Sequence, residues 1–366
     1  MSRFLSKQFK LLTMYEAGEQ LGDRYLKLNA NESPYPPSPL INQVISSSKI
    51  NQLKRYGDIS YQALHEALAN QLNLTVDNIV LGAGADDVLD LIFRTYFQPG
   101  DTLLLPNITY PFYETYANAY GYQVKEILVD DKLQIELLPY IESNEACVIV
   151  NPNAPSGHYH PISEIERVVQ SNPDRLVIVD EAYIDFGGES AAPLVKKYDN
   201  LIVVQTFSKS RNLAGARIGY ALAAPSLTED LKKIRGTINP FYLSELQVLT
   251  ALASLSDDAY FKQSTSQIMT TRDHFSHQLQ AAGFYVLPSL TNFVLVKPRH
   301  ISASELYEAL KAQHILVRYY TKPVINDYVR ISIGLDHDMT RVLDTMLTLD
   351  QENHTSVLAS VDRKLA

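Results

Sequence analysis

A lysine between two serines is the first feature of the sequence that could carry chemistry. Lys209 lies between Ser208 and Ser210, shortly after the largely apolar run 201–205. A continuous apolar run predicts a buried parallel strand, and open α/β sheets bind their ligands beyond the carboxyl ends of such strands. Lysine there could be a point charge for an anion, an amine that forms a Schiff base with a carbonyl cofactor, or a solvated loop residue.

A carboxylate follows another apolar run. Asp180 comes directly after 176–179, and a carboxylate at the end of a buried strand needs a cation or a strong donor. A protonated heterocyclic nitrogen would supply both, although an aspartate that caps the next turn is the alternative. Tyr183 could offer its hydroxyl to the same ligand, and Tyr110 could stack on its ring.

An anion site is indicated near residue 84. The sequence LGAGADD predicts a glycine turn followed by a helix, whose free amides and dipole attract an anion, although a plain turn is the alternative. Asp87 stands where a dinucleotide motif requires glycine, which disfavours that motif. Arg217 suits bidentate phosphate contact. Together with Lys209 and Asp180, these residues describe a ligand with a carbonyl, a basic aromatic ring and a phosphate, which is pyridoxal 5′-phosphate.

Alternating strands and helices must position these residues. From residue 79 the pattern is strand, turn and helix in repetition, which predicts an α/β fold with a mostly parallel central sheet and helices on both faces. Shorter alternating strands in the last third predict a smaller α+β domain. The expected division is an N-terminal segment (1–45) packing with the small domain, a large ligand-binding domain (46–243) and the small domain (244–366).

Composition limits the possible classes of function. The 366 residues carry a net charge of −9, which argues against a nucleic-acid-binding surface. The sequence shows neither the apolar core of a signal peptide nor an apolar run of the ~20 residues that span a bilayer. Cys147, the single cysteine, is expected to be a buried thiol, which suits the cytoplasm. His158 and His160 are expected in a loop, and no metal site is predicted.

With these residues in view, the chain resembles the fold-type I pyridoxal-phosphate-dependent aminotransferases, and among them the histidinol-phosphate aminotransferases. The blocks that carry the resemblance extend over almost the whole chain. They are YEAG at 15–18, LNANESPYPPSP at 28–39, GADD at 84–87, NPNAPSG at 151–157, DEAYIDF at 180–186, TFSKSRNLAGARIGY at 206–220 and VRISIG at 329–334.

The resemblance implies a role for each matching residue. Lys209 matches the lysine that forms the Schiff base and moves the substrate proton, Asp180 the aspartate on the ring nitrogen, and Tyr183 the tyrosine on the ring 3-oxygen. The remaining cofactor positions are Tyr110 on the ring, Asn153 in the loop beside it, Ala85, Asp86, Thr206, Ser208 and Arg217 around the phosphate, and Tyr56 reaching the phosphate of the partner subunit. The implied substrate positions are Arg330, Arg318, Asn31 and Glu32. A shared site implies a homodimer.

One position departs from the family pattern. The family loop reads N-N-P-T-G, and its second asparagine bonds the ring 3-oxygen, but this chain has Ala154 there. Either Tyr183 holds the oxygen alone, or Asn153 moves in. Two milder changes are Ser33 for asparagine and Asp87 for glutamate.

The implied reaction is ping-pong transamination through Lys209. The resemblance implies that L-histidinol phosphate and 2-oxoglutarate give imidazole acetol phosphate and L-glutamate, a step of histidine biosynthesis. The alternatives are an aromatic-amino-acid aminotransferase, a pyridoxal-phosphate-dependent phosphothreonine decarboxylase, and a non-catalytic binding module of the same fold.

Overall fold

A computed structural model describes residues 2–6, 9, 10, 12 and 17–365, apart from the side chains of residues 47, 48 and 356–365. Residues 15 and 16 of the YEAG block lie outside the described residues. The strands are β1 (Leu26–Lys27), β2 (Ile79–Gly82), β3 (Thr102–Pro106), β4 (Gln123–Ile127), β5 (Ala146–Val150), β6 (Val177–Asp180), β7 (Leu201–Thr206), β8 (Gly219–Ala223), β9 (Tyr285–Val286), β10 (Phe293–Lys297), β11 (Ile315–Leu316), β12 (Arg318–Tyr319) and β13 (Val329–Ser332). The helices are α1 (Leu40–Val44), α2 (Ser47–Gln52), α3 (Gln62–Leu72), α4 (Ala85–Tyr96), α5 (Phe112–Tyr120), α6 (Leu138–Glu142), α7 (Ile162–Ser171), α8 (Pro225–Ile238), α9 (Glu245–Ser256), α10 (Asp258–Ala281), α11 (Ala303–Ala312) and α12 (Asp336–Leu365).

The large sheet is mostly parallel. Within the described part of the chain it has seven strands in the order β2-β8-β7-β6-β5-β3-β4, and β8 runs antiparallel to both neighbours. Alternate residues of one strand enter two different apolar clusters: Leu201 and Val203 face the cluster that includes α3 and α7, while Ile202 and Val204 face α4, α5 and α8. The sheet is therefore covered by helices on both faces, which explains why its strands are continuous apolar runs.

A second, smaller sheet lies in the last third of the chain. Its strands follow the antiparallel order β12-β13-β10-β9. Residues of α10, α11 and α12 share one apolar cluster with this sheet. β1, from the N-terminal segment, pairs in parallel with β11.

Helix α9 bears on the domain division. It packs against α1 and α3, and Ala251 lies in the apolar cluster of the large sheet. We therefore propose that the boundary of the small domain lies near Asp257, where α9 ends and α10 begins, rather than at residue 244.

Several local predictions differ from the structure. Residues 315–319, whose apolar sequence predicts one of the short strands of the small domain, form two strands, β11 and β12, which belong to different sheets. The long helix predicted from about residue 244 to 280, with a kink near 255–258, is divided at Asp257 into α9 and α10. The side chain of Asp257 accepts a hydrogen bond from the amide of Tyr260. Residues 350–366 are polar and show only a weak pattern in the sequence, but α12 continues through them as far as Leu365. Among the described residues, no helix is long and apolar enough to cross a membrane.

Candidate active site

A cavity of about 240 Å³ lies between the carboxyl-end loops of the large sheet and strands β12 and β13 of the small one. The N-terminal segment closes one side. It is lined by Ala17, Gly18, Asn29, Ala30, Asn31, Thr109, Tyr110, Pro111, Ala154, Pro155, Tyr183, Lys209, Arg318, Tyr320 and Arg330. The cavity therefore brings together Lys209, Tyr183, Tyr110, Asn31 and both arginines that the sequence singled out.

Lys209 reaches this cavity from the loop after β7. Its Nζ lies 3.4 Å from the carbonyl oxygen of Ala30 and 5.7 Å from the centre of the Tyr183 ring. Burial, and then the positive charge of Arg330, lower the pKa of Lys209 to about 8. A substantial share of the side chain is therefore a neutral amine near physiological pH, which can act as a nucleophile or a base.

Asp180 ends β6 and is 4% exposed. Its carboxylate accepts hydrogen bonds from the hydroxyl of Tyr113 at 2.5 Å and from the amide of Ala182 at 3.0 Å. Burial raises the pKa of Asp180 to about 6, so the carboxylate is still mostly charged at neutral pH. Among the described residues, none forms an ion pair with it. A buried negative charge without a paired cation is suited to a cationic ligand atom.

The glycine turn before α4 is built around Arg217. Gly84 has φ +98°, and a Cβ there would lie 2.6 Å from the Arg217 guanidinium, so the turn requires glycine. Arg217 contacts the Asp86 carboxylate at 3.3 Å, and the hydroxyl of Tyr110 donates to the same carboxylate at 3.0 Å. The positive charge of Arg217 thus lies beside the first amides of α4, beginning at Ala85.

The two hydroxyls predicted at the phosphate lie at the end of β7. Thr206 donates to the Oγ of Ser208 at 3.0 Å and accepts from the Ser208 amide at 3.2 Å. Neither residue lines the Lys209 cavity, but Ser208 lines a neighbouring one of about 400 Å³. Glu32 also lines that neighbouring cavity and pairs with Lys27 at 2.6 Å, so the structure does not place Glu32 in the Lys209 cavity.

Arg330 and Arg318 bring positive charge to the part of the cavity formed by the small sheet. They are direct cross-strand partners on β13 and β12. Arg330 donates to the carbonyl of Asn29 at 2.9 Å and lies over the rings of Phe293 and Tyr320, at 5.3 and 5.7 Å. Its Nε is buried without a partner among the described residues. This part of the cavity can therefore bind an oxyanion.

Two other predicted residues have different surroundings. The side-chain amide of Asn153 donates to the carbonyl of Ile108 and to the hydroxyl of Ser156, and its oxygen accepts from Thr109. Tyr56 is 81% exposed and packs on Phe241 with 4.3 Å between ring centres. It lies outside the cavity of its own chain.

Comparison with known proteins identifies the family. The model of the family described as aminotransferase class I and II matches residues 23–346. This chain belongs to that family. The chain is 41% identical to a histidinol-phosphate aminotransferase from Acinetobacter baylyi, with 94% of this chain and 96% of the relative covered. It is 38% identical to one from Chromohalobacter salexigens, with 94% and 99% covered.

A solved structure extends this aminotransferase likeness to three dimensions. The histidinol-phosphate aminotransferase from Sinorhizobium meliloti, in complex with pyridoxal 5′-phosphate, superposes with a TM-score of 0.85 at 25% identity and covers 98% of this chain and 99% of its own. These comparisons confirm the predicted family, the fold class and the cofactor, pyridoxal 5′-phosphate.

The site of this aminotransferase fits that cofactor on its own evidence. Asp180 is a buried carboxylate to which the described part of the chain supplies no paired cation, as a protonated ring nitrogen requires. Arg217 places a guanidinium beside the N-terminus of α4, which is the combination of charge and free amides that a phosphate requires. Lys209 supplies an amine of lowered pKa for the aldehyde.

Sequence reasoning missed several residues of this aminotransferase site. Tyr113, the second residue of α5, donates a hydrogen bond to Asp180. Its position shortly after Tyr110 and Pro111 could have indicated that it lies at the site. Tyr320 follows Arg318 closely and carries no motif of its own. Thr109, Asn29 and Ala30 reach the cavity from loops.

Proposed function

We propose that this aminotransferase exchanges the amino group between L-histidinol phosphate and 2-oxoglutarate, as a step of histidine biosynthesis. The observation that supports this substrate is the cross-strand pair Arg318 and Arg330, which lines the same cavity as Lys209. The histidinol-phosphate aminotransferases that match nearly the whole chain support the same substrate.

The arginine pair suits both substrates of this exchange. A phosphate monoester carries close to two negative charges at neutral pH, so two guanidiniums match its charge. Glutamate and 2-oxoglutarate present an α-carboxylate, which one guanidinium can bind through two parallel hydrogen bonds. Since histidinol phosphate has no α-carboxylate, Arg330 has to accept either oxyanion.

Each residue of the site then has a separate role in the reaction. Pyridoxal 5′-phosphate supplies an aldehyde for the amino group and a ring that takes up the electron pair released at the substrate Cα. Lys209 accepts and returns the proton at its Nζ, since its lowered pKa makes both directions accessible. Asp180 would keep a negative charge beside the ring nitrogen, and Arg217 with the first amides of α4 would hold the phosphate.

We also propose a homodimer. Large apolar side chains are exposed in two stretches of the chain. Ile50, Leu53 and Ile59 flank Tyr56 in the sequence, and Ile238 precedes Phe241, which packs on Tyr56. A second copy that covers both stretches would bury these side chains and bring Tyr56 to the cofactor phosphate of its partner. A cytoplasmic location is part of the same proposal, and the buried free thiol of Cys147 agrees with a reducing compartment.

Spectra and kinetics test the proposal. The purified protein with pyridoxal 5′-phosphate should show a visible band that shifts when an amine substrate is added, and Lys209→Ala should lose this shift. Lys209→Arg, which keeps the charge but lacks a primary amine, is the matched control and should also lose it. A colourless protein that ignores the cofactor would contradict the proposal.

Substrate comparison separates the alternatives. The value of kcat/KM should be much higher for histidinol phosphate with 2-oxoglutarate than for phenylalanine. Preference for phenylalanine would indicate an aromatic-amino-acid aminotransferase, and release of CO₂ from phosphothreonine would indicate the decarboxylase. Cofactor binding without turnover of any of these substrates would indicate a non-catalytic module.

A further inference from the structure

A chain of three buried side chains runs from the small sheet to the cavity. The backbone amide of Asn31 donates to the Oγ of Ser332 at 2.9 Å, and the Ser332 hydroxyl donates to the Oδ1 of Asn31 at 3.0 Å. The Nδ2 of Asn31 then donates to the hydroxyl oxygen of Tyr183 at 2.8 Å. All three residues are buried.

The donors and acceptors of these hydrogen bonds between Ser332, Asn31 and Tyr183 can be assigned in only one way. Because the Oγ of Ser332 accepts from the Asn31 backbone, the serine proton must find an acceptor, and the described residues offer it only Oδ1 of Asn31. Rotating the amide of Asn31 by half a turn would leave the buried serine proton without a partner, which is costly. The amide nitrogen therefore faces Tyr183.

Tyr183 accepts at its hydroxyl oxygen and so must donate its proton elsewhere. Among the described residues, no acceptor for this proton lies within hydrogen-bonding distance, and Tyr183 lines the cavity that contains Lys209. Burial raises the pKa of Tyr183, so the hydroxyl keeps its proton near neutral pH. The proton is therefore available to an acceptor that binds in the cavity.

The neighbouring loop offers no other side-chain donor at this place. Ala154 lines the cavity but has no polar group. Both amide hydrogens of Asn153 are used, by the carbonyl of Ile108 at 3.0 Å and by the hydroxyl of Ser156 at 2.8 Å. Moving Asn153 towards the cavity would leave these buried partners unsatisfied.

We propose that Asn31, oriented by Ser332, is a positioning residue that fixes the Tyr183 hydroxyl as a donor to the cofactor's ring oxygen, and that this relay replaces the amide that Ala154 lacks. This inference rests on the proposed use of pyridoxal 5′-phosphate but not on the identity of the substrate. The family resemblance implied that Asn31 lies at the substrate. In this proposal Asn31 instead acts through Tyr183.

The hydrogen bond from Tyr183 to the ring oxygen can be tested by titrating the visible band of the bound cofactor with pH in the absence of substrate. A donor to the ring oxygen stabilises its anionic form and lowers the pH at which the band changes. Asn31→Ala should raise the apparent pKa of the band by about 0.5–1 unit, as expected for the weakening of one hydrogen bond. Tyr183→Phe should raise it at least as far.

Other charged groups also face Tyr183, so the design must separate their effects from that of Asn31. They are Arg330 on β13, Asp180 at the end of β6, Asp86 on α4 and Lys209 after β7. The double variant Asn31→Ala with Tyr183→Phe isolates the relay, because Asn31 should have no effect once the tyrosine hydroxyl is gone.

Two further variants keep the test decisive. Ser332→Ala leaves the Asn31 side chain in place and should shift the apparent pKa of the band in the same direction by a smaller amount. This variant also tests the relay if Asn31→Ala fails to fold. Ala154→Asn adds a second donor and should return the band of Asn31→Ala towards that of the parent protein.

The outcomes distinguish two failures. A parent protein without a visible band contradicts the proposed function and the relay with it. A normal band that titrates alike in the parent protein, Asn31→Ala and Ser332→Ala overturns the relay alone. An equal shift from Asn31→Ala with and without the Tyr183 hydroxyl also overturns it.

Discussion

The hydroxyl of Tyr113 donates a 2.5 Å hydrogen bond to the carboxylate of Asp180, and it does so from a different layer of the fold. Tyr113 lies on α5, with no exposed surface, while Asp180 ends β6. Tyr113 partly offsets the rise in the Asp180 pKa that burial causes. The helix thus helps to keep the carboxylate charged at neutral pH.

Removing this hydroxyl should change how cofactor affinity depends on pH. Burial places the Asp180 pKa at about 6, so affinity for pyridoxal 5′-phosphate should fall as pH drops through that region. Tyr113→Phe should move the midpoint of this loss upward by about 0.5–1 unit. Titrations of the cofactor between pH 5 and 8 measure the midpoint.

A neighbouring tyrosine provides the control for this shift. Tyr116, on the same helix, donates to the backbone carbonyl of Asp86 at 2.9 Å rather than to a carboxylate. Tyr116→Phe should leave the midpoint unchanged. If both variants moved it equally, the effect would come from the helix and not from the bond to Asp180.

The large sheet was predictable because its strands are continuous apolar runs. Leu201–Thr206 differs from its prediction by one residue, since burial on both faces leaves a signal in sequence. The antiparallel direction of β8 was not predictable, because it depends on pairing with distant β2 and β7. Helices α7 and α8 were not predicted, although the sequence indicates both. Helix α8 begins at Pro225, and α7 repeats apolar residues with helical spacing.

The types and positions of residues predicted part of the site, but the directions of its hydrogen bonds could be determined only from the folded structure. Lys209, Asp180 and Tyr183 each follow a buried run, and such runs end at one edge of a sheet. The bond between Asn31 and Ser332 joins residues 301 positions apart. Local sequence contains no signal for such a pair.

The two cavity arginines should differ in which substrate they affect. Arg330→Ala should lower kcat/KM for both glutamate and histidinol phosphate by about 10- to 150-fold, as expected for loss of charged hydrogen bonds. Arg318→Ala should lower it more for histidinol phosphate, since the phosphate carries more charge. Arg341→Ala, at an arginine of α12 that bonds the carbonyl of Gln313, is the control and should change neither.

A charge on the exposed apolar surface should separate the proposed dimer. Phe241 packs on Tyr56 and is 45% exposed, and Phe241→Asp places a carboxylate where a second copy would lie. Sedimentation should show a shift from dimer to monomer, with weaker cofactor binding because Tyr56 no longer reaches the neighbouring site. Leu128→Asp, at a residue 70% exposed elsewhere, should stay dimeric.

A second buried carboxylate should make stability depend on pH. Glu181, 2% exposed, accepts from the amide of Ala191, the hydroxyl of Ser190 and the side chain of Gln205. Burial nevertheless raises its pKa from 4.5 to about 7. The folded state therefore binds this proton more tightly than the unfolded state, and the associated stability is present at low pH and lost as pH rises from 4.5 to about 7.

The variant Glu181→Gln, which cannot ionise, should escape this loss. Its free energy of unfolding relative to the parent protein should increase by about 1–3 kcal/mol between pH 4.5 and 8, whatever the fixed effect of the amide on its neighbours. Urea unfolding at both pH values, with the cofactor at one saturating concentration, measures the change. Glu308→Gln, on the exposed side of α11, should show no such trend, and a pH-independent difference for Glu181→Gln would mean that its carboxyl titrates normally.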